Sequence, residues 1–192
     1  LPLIITMPKL LGKYLEKIKP NFFYTSVTSI RLIKNLNSNN YCLYDYFENK
    51  NTNFRIERIG SCGEPLANTI GEWAIHFFKP LRKSIVNTYF QTETGGIITA
   101  PRDEDNTPKD YSCVGKPISN MKIIIAKEIK NKEELIKENL DPNELLISKK
   151  WDGVFQEVIS DRQQNYFTET GEYRLNDVGY FDEEGFLFIG GR

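Results

Sequence analysis

Two short apolar runs separated by one helical stretch constrain the fold of this chain most. Ile56 to Cys62 and Ser84 to Phe90 are rich in strand-forming residues, and each empties into a polar string, Gly63-Glu64-Pro65 and Gln91-Thr92-Glu93-Thr94-Gly95-Gly96. Between them Asn68 to Phe78 carries Ile70, Trp73, Ala74 and Phe77 at helical intervals, with Pro80 beyond. Strand, helix and strand within about one crossover length predict a parallel pair. The two polar strings are then expected side by side at one sheet edge, where open α/β sheets take their ligands.

The flanking segments extend this α/β plan. Leu10, Leu11, Tyr14, Leu15 and Ile18 recur at helical spacing between Pro8 and Pro20, and a strand is expected at Asn21 to Thr25. Ile30, Ile33 and Leu36 mark a helix over Ser29 to Leu36, with the Asn-rich stretch from Asn35 to Asn40 read as a surface loop. After Pro101 the pattern becomes β-rich. Met121 to Ala126 and Glu144 to Ser148 read as strands flanking a charged helix from Asn131 to Leu140, and Tyr180 to Ile189 reads as a hairpin turning at Asp182 to Gly185. The polar segment Asp103 to Asp110 suggests a boundary, giving an α/β portion over 1–100 and a smaller β-rich subdomain over 101–192.

With 192 residues and 40% hydrophobic content, the chain can bury a substantial core. Its 25 Lys and Arg against 26 Asp and Glu leave a net charge of -1, with no basic excess for nucleic acid or anionic membranes. Cys42, Cys62 and Cys113 fit neither a disulfide framework nor paired zinc ligands, which suits reduced thiols in a cytoplasmic setting. Leu1 to Met7 is apolar but short, broken by Pro2 and Pro8, and fails as a leader or membrane span. A chain opening on Leu1 and ending at Gly190-Gly191-Arg192 is expected to be a piece of a longer protein.

The string Tyr89-Phe90-Gln91-Thr92-Glu93-Thr94-Gly95-Gly96 suits a nucleotide phosphate and its metal. A Thr hydroxyl donates to phosphate oxygen, a Glu carboxylate holds Mg²⁺, and glycines let the backbone approach. Alone, such a string is more often a turn or helix cap. Its pairing with Ser61-Cys62-Gly63-Glu64-Pro65 on the neighbouring strand favours a site.

The order Gly-Ser-Cys-Gly-Glu-Pro, then Tyr-Phe-Gln-Thr-Glu-Thr-Gly-Gly, then Asn176-Asp177 and a terminal Gly-Gly-Arg resembles the adenylate-forming superfamily, and within it the acetyl-CoA synthetase family. The likeness extends upstream through Asn21 to Thr25 and Thr28-Ser29-Ile30-Arg31, and so covers nearly the whole chain. The resemblance implies part of the large N-terminal domain of such enzymes, a mixed or parallel sheet with flanking helices followed by the β-rich subdomain. By the same resemblance, Gly63, Glu64 and Pro65 border adenine. Asn87, Thr88, Tyr89, Phe90 and Gln91 line the nucleotide and acyl pockets, with Cys62 as pocket wall, and Thr92 meets the α-phosphate. Glu93 is the implied Mg²⁺ ligand, Asp177 accepts from the ribose hydroxyls, and Arg192 adds a cationic donor. Thr92 and Glu93 are thus the implied catalytic pair, with ATP, AMP, Mg²⁺, acetate and coenzyme A as the implied small molecules.

Three departures from the family pattern matter. Asn176 stands where the family usually has Gly, and Asn tolerates left-handed backbone better than most residues. Ser112-Cys113 replaces a usual Gly-Ser pair. Phe90 replaces the usual Trp of the pocket floor, which still implies a short acid, acetate first and propionate second, because one methylene gives only about 1–3 kcal/mol of discrimination. Nothing matches the family's upstream phosphate loop, and the C-terminal domain with its catalytic Lys is absent, so the isolated chain is expected to be inactive. A truncated adenylate-binding module and an adenylation domain that loads a carrier protein share these motifs. His76, the one histidine, reads as structural.

Overall fold

Residues 11–37, 56–102, 110–118, 121–148, 151–155, 157 and 165–191 are described by a computed structural model of the chain. It packs as two units, Leu1–Asn87 and Thr88–Arg192. That division falls earlier than the boundary after residue 100 expected from the sequence. Its cause is pairing within the second unit: Tyr89 bridges Thr99, and Ile118 donates its N–H to the Ile98 carbonyl at 2.9 Å.

In the first unit, helix α1 (Leu11–Ile18) precedes strand β1 (Phe22–Ser26), helix α2 (Val27–Asn37), β2 (Arg58–Cys62), α3 (Asn68–Phe78) and β3 (Ile85–Asn87). The three strands form one parallel sheet in the order β1-β2-β3. Leu11 and Leu15 are the buried stripe of α1, while Tyr14 and Ile18 are exposed. Helix α3 occupies the span its pattern predicts. It ends because Lys79 turns left-handed at φ 45° ahead of Pro80, and the Lys79 N–H caps the Ile75 carbonyl. Its Phe77 and Phe78 are buried, with Phe78 packed 5.3 Å from the Phe23 ring, while His76 lies exposed.

Two expectations need correction here. The chain stays helical through Asn37, so the surface loop does not begin at Asn35; residues 38–40 lie outside those described. Strand β3 covers only Ile85–Asn87 rather than Ser84 to Phe90, because Tyr89 turns its backbone to Thr99 instead of β2. The Asp103–Asp110 loop lies outside the described residues except Asp110, and so do Cys42 and Leu1 to Met7.

The second unit is antiparallel. Strands β4 (Thr99–Ala100) and β5 (Lys116–Pro117) form a short pair, and β6 (Ile123–Ile125), β7 (Glu144–Ile147), β8 (Tyr173–Phe181) and β9 (Leu187–Gly191) form a sheet in that order. Helix α4 (Lys132–Lys137) is shorter than the expected Asn131 to Leu140, since the Asn131 side chain caps its start by accepting from the Glu133 and Glu134 N–H groups and Asn139 turns left-handed at φ 50° beyond its end. Alternation divides the strands between two cores. Ile123, Ile125, Leu145, Ile147, Tyr173 and Leu175 share one with Ile98 and Leu187, while Ile124 and Leu146 face Ala126, Leu135 and Leu140 in another. The hairpin turns at the expected place, where Asp182 accepts from the Gly185 N–H.

Strand β8 carries an irregularity beside Asp177. Arg174 pairs with Leu146 and Val178 with Glu144, so β8 takes four steps where β7 takes two. The excess is absorbed at Asn176, whose φ of 52° is left-handed. The Asn-for-Gly departure is therefore accommodated, and its amide donates to the Arg174 carbonyl at 3.2 Å.

Candidate functional site

In the first unit, parallel pairing sets Ser61 beside Asn87, and the chain leaves β2 and β3 at the same sheet edge, as expected. The buried Ser61 hydroxyl donates to Asn87 Oδ1 at 3.0 Å, which ties the two strand ends together. Cys62 follows half-buried, and Gly63 turns the chain at φ 92° in open space. The Glu64 carboxylate accepts from the Thr28 hydroxyl on one oxygen and from Arg31 Nη1 at 2.7 Å on the other. The Thr28 bond does most to hold the Glu64 carboxyl below its ordinary value; partial burial opposes it, and the Arg31 charge adds to it. The Glu64 side chain is thus engaged by α2, and Pro65 stands exposed after it.

In the second unit, Thr92–Thr94 forms a single 3₁₀ turn. The buried Thr94 hydroxyl closes it, accepting from the Gln91 N–H at 3.0 Å and lying 2.8 Å and 2.9 Å from the Gln91 and Gly96 carbonyls. Gly95 then turns left-handed at φ 69°, and a Cβ there would sit 2.1 Å from the Gly153 carbonyl oxygen. The segment after β7 braces this turn from three sides. Trp151 Nε1 donates to the Thr94 carbonyl at 2.9 Å, the Phe155 N–H donates to the Glu93 carbonyl at 3.3 Å, and Gly153 lies against Gly95. The backbone is fixed while the Thr92 side chain stays exposed and that of Glu93 half-buried. Among the described residues, neither side chain makes a hydrogen bond or ion pair, which leaves both open to a ligand.

Gln91, just before the turn, joins it to β8. Its Nε2 donates to the Leu175 carbonyl at 2.6 Å and to Asp177 Oδ2 at 2.8 Å. The Tyr89 hydroxyl donates to the same Asp177 oxygen at 2.7 Å. Two donors on one oxygen set the plane of a carboxylate that is only 6% exposed. The structure therefore brings Tyr89, Gln91 and Asp177 together, with Thr92 and Glu93 on the adjoining turn. Phe90 is 39% exposed, Thr88 is buried, and Arg192 lies outside the described residues.

No motif singles out Tyr173 or Trp151, and Thr28 and Arg31 take a role only once the fold sets them against Glu64. A period-two signal was present, since Tyr173, Leu175 and Asp177 alternate along β8 and all are buried. No comparable signal marks Trp151, which acts through one indole N–H on a carbonyl distant in sequence.

The family model for AMP-binding enzymes matches residues 3–151. This chain belongs to the AMP-binding enzyme family. It is 32% identical over 182 residues to an acetyl-coenzyme A synthetase of Sinorhizobium fredii, covering 93% of this chain and 26% of that protein. The acetyl-coenzyme A synthetase of Sinorhizobium medicae is 30% identical over 181 residues, again covering 92% of this chain and 26% of the relative. This family member thus spans about a quarter of the length of those relatives. Its fold matches the anthranilate CoA ligase AuaEII, solved with anthranoyl-AMP, at a TM-score of 0.68 and 14% identity over 99% of this chain and 34% of that one. Among the described residues, no helix is long and apolar enough to cross a membrane, and no group of three or more His, Cys, Asp and Glu is arranged to hold a metal ion.

Proposed function

We propose that the chain is part of an acetate-activating, AMP-forming acid–thiol ligase and carries its ribose and phosphate grip. The observation that carries this reading is the Tyr89–Gln91–Asp177 cluster contiguous with the Thr92–Glu93 turn. A carboxylate of fixed orientation suits the two hydroxyls of a ribose, and exposed Thr92 suits a phosphate oxygen. By the family resemblance, Gly63, Glu64 and Pro65 are proposed to border the adenine, Asn87 to line the nucleotide pocket, and Arg192 to add a cation near the ribose.

In the proposed reaction a carboxylate oxygen of the acid attacks the α-phosphorus of ATP, forming a P–O bond as the bond to pyrophosphate breaks. The thiol of coenzyme A then attacks the acyl carbon, AMP leaves with the C–O bond pair, and the thiol proton passes to solvent. Positioning and charge neutralisation dominate such chemistry. Mg²⁺ takes few protein ligands and several phosphate oxygens, so the single carboxylate of Glu93 fits it. Bound there, Mg²⁺ would offset phosphate charge.

Phe90 is proposed as the floor of the acyl pocket, which favours acetate and then propionate. The thiols of Cys62 and Cys113 suit a reducing, cytoplasmic setting. The test is the thermal shift of this chain with ethyl, propyl and butyl esters of AMP against AMP alone. Stabilisation by the ethyl or propyl ester beyond AMP is expected. Equal or greater stabilisation by butyl refutes the short-acid reading, and no shift with any nucleotide refutes the grip. No acetate-dependent ATP–pyrophosphate exchange is expected from this chain alone.

A further inference from the structure

Tyr173 is 1% exposed, and three aromatic rings hold it edge-on: Trp151 at 5.4 Å, Phe167 at 5.7 Å and Phe155 at 6.0 Å between centroids. A core position of this kind needs only the volume of Phe. A hydroxyl added there has to reach an acceptor, and it does, donating to Gln91 Oε1 at 3.1 Å. The Gln91 amide is thereby gripped at both ends, its oxygen by Tyr173 and its nitrogen by the Leu175 carbonyl and Asp177. Gln91 is half-buried, so an unsatisfied Oε1 has water within reach if the side chain swings outward.

We propose that Tyr173 is a positioning residue, acting through Gln91 to hold the Asp177 carboxylate in the plane that receives a ribose diol. The proposal rests on the reading of Asp177 as the ribose acceptor. The same ring packs against Trp151, which grips the phosphate turn at Thr94, so one aromatic cluster sets both ends of the grip. Removal of the hydroxyl frees Gln91 to hydrate its carbonyl, and Asp177 loses one of the two donors on Oδ2.

The test compares AMP with 2′,3′-dideoxy-AMP, titrated calorimetrically into the chain and into Tyr173→Phe, Gln91→Met and Asp177→Ala. The unaltered chain should prefer AMP, and Asp177→Ala should lose that preference. Tyr173→Phe should weaken AMP about fivefold, the effect of one neutral hydrogen bond, and leave dideoxy-AMP unchanged. In the ligand-free chain, the Gln91 side-chain amide protons should lose protection from exchange. Gln91→Met leaves the aromatic cluster intact and should reproduce the selective loss if Tyr173→Phe does not fold. If Tyr173→Phe and Gln91→Met match the unaltered chain while Asp177→Ala loses the preference, Tyr173 does not position the carboxylate and the ribose reading stands. Equal weakening of both nucleotides assigns Tyr173 to the core alone. If Asp177→Ala keeps the preference, or no variant binds AMP, the ribose reading falls and the proposal with it.

Discussion

Glu64 in the first unit is held by Thr28 and Arg31, less than one turn apart on a single helix, and the Arg31 side chain is 43% exposed. Asp177 in the second unit is held by Tyr89 and Gln91, which lie 88 and 86 residues away in sequence, and it is buried. The glycines differ in the same direction. Gly63 turns in open space, whereas Gly95 turns against the Gly153 carbonyl. A parallel strand end delivers its loop to a ligand almost ready-made. An antiparallel sheet has to bulge, cap and brace to aim a carboxylate from mid-strand, so its candidate groups depend on tighter and more distant partners.

That contrast breaks most sharply at Lys130. Its ammonium is 3% exposed and donates to Glu138 Oε1 at 2.9 Å and to the Thr170 hydroxyl, with Glu172 at 3.6 Å. Lys130→Met leaves two carboxylates without their cation and should destabilise the second unit by about 3–5 kcal/mol. The measurement is urea unfolding followed by fluorine NMR of fluorotryptophan, since Trp73 reports the first unit and Trp151 the second. Arg31→Ala, in the exposed pair, should cost the first unit under about 1 kcal/mol. Equal losses in the two units would remove the distinction.

The glycines sharpen it at intermediate size. Gly95→Ala combines left-handed strain with a clash against backbone, and about 2–4 kcal/mol of destabilisation is expected. Gly63→Ala meets no neighbour and should cost about 1 kcal/mol from backbone strain alone. Denaturation midpoints of the two variants by the same fluorine signals would show whether the second unit is the tighter.

Acid gives the smallest and most graded effect. Burial pushes the Glu172 carboxyl up, but hydrogen bonds from Thr168 and Thr170 and the Lys130 charge outweigh it and leave it below 4.5. A carboxyl lowered on folding contributes stability that is present above 4.5 and lost as pH falls through its folded value. Glu64 follows the same sign. For Lys130 burial pushes the ammonium down, yet the Glu138 bond and the surrounding carboxylates raise it above 10.5. Its contribution is present below 10.5 and lost as pH rises through the raised value. Acid titration should therefore weaken both units below about pH 4.5, followed at Trp73 for the first and Trp151 for the second.

How much could be read in advance follows the same divide. The helix Asn68–Phe78 and the side-by-side strand ends were legible because their signals are local, a helical stripe and two apolar runs. The early end of β3 was not, since Val86 and Phe90 are equally good strand residues and only the distant Thr99 decides where the ladder stops. Asp177 was legible through its motif, while the donors that orient it were not, because no period in the sequence links Tyr89 and Gln91 to β8. Asn176 shows that a residue's tolerance for left-handed backbone can be read from its type, although the bulge that uses it cannot.

The long separation between Tyr89 and Asp177 has a kinetic meaning. Closing so large a loop is entropically costly, and such contacts form after local ones. The carboxylate therefore gains its donors late in folding, once β8 has docked. A nucleotide that binds this arrangement stabilises the native state far more than the transition state, so in stopped-flow experiments it should slow unfolding and leave the refolding rate nearly unchanged.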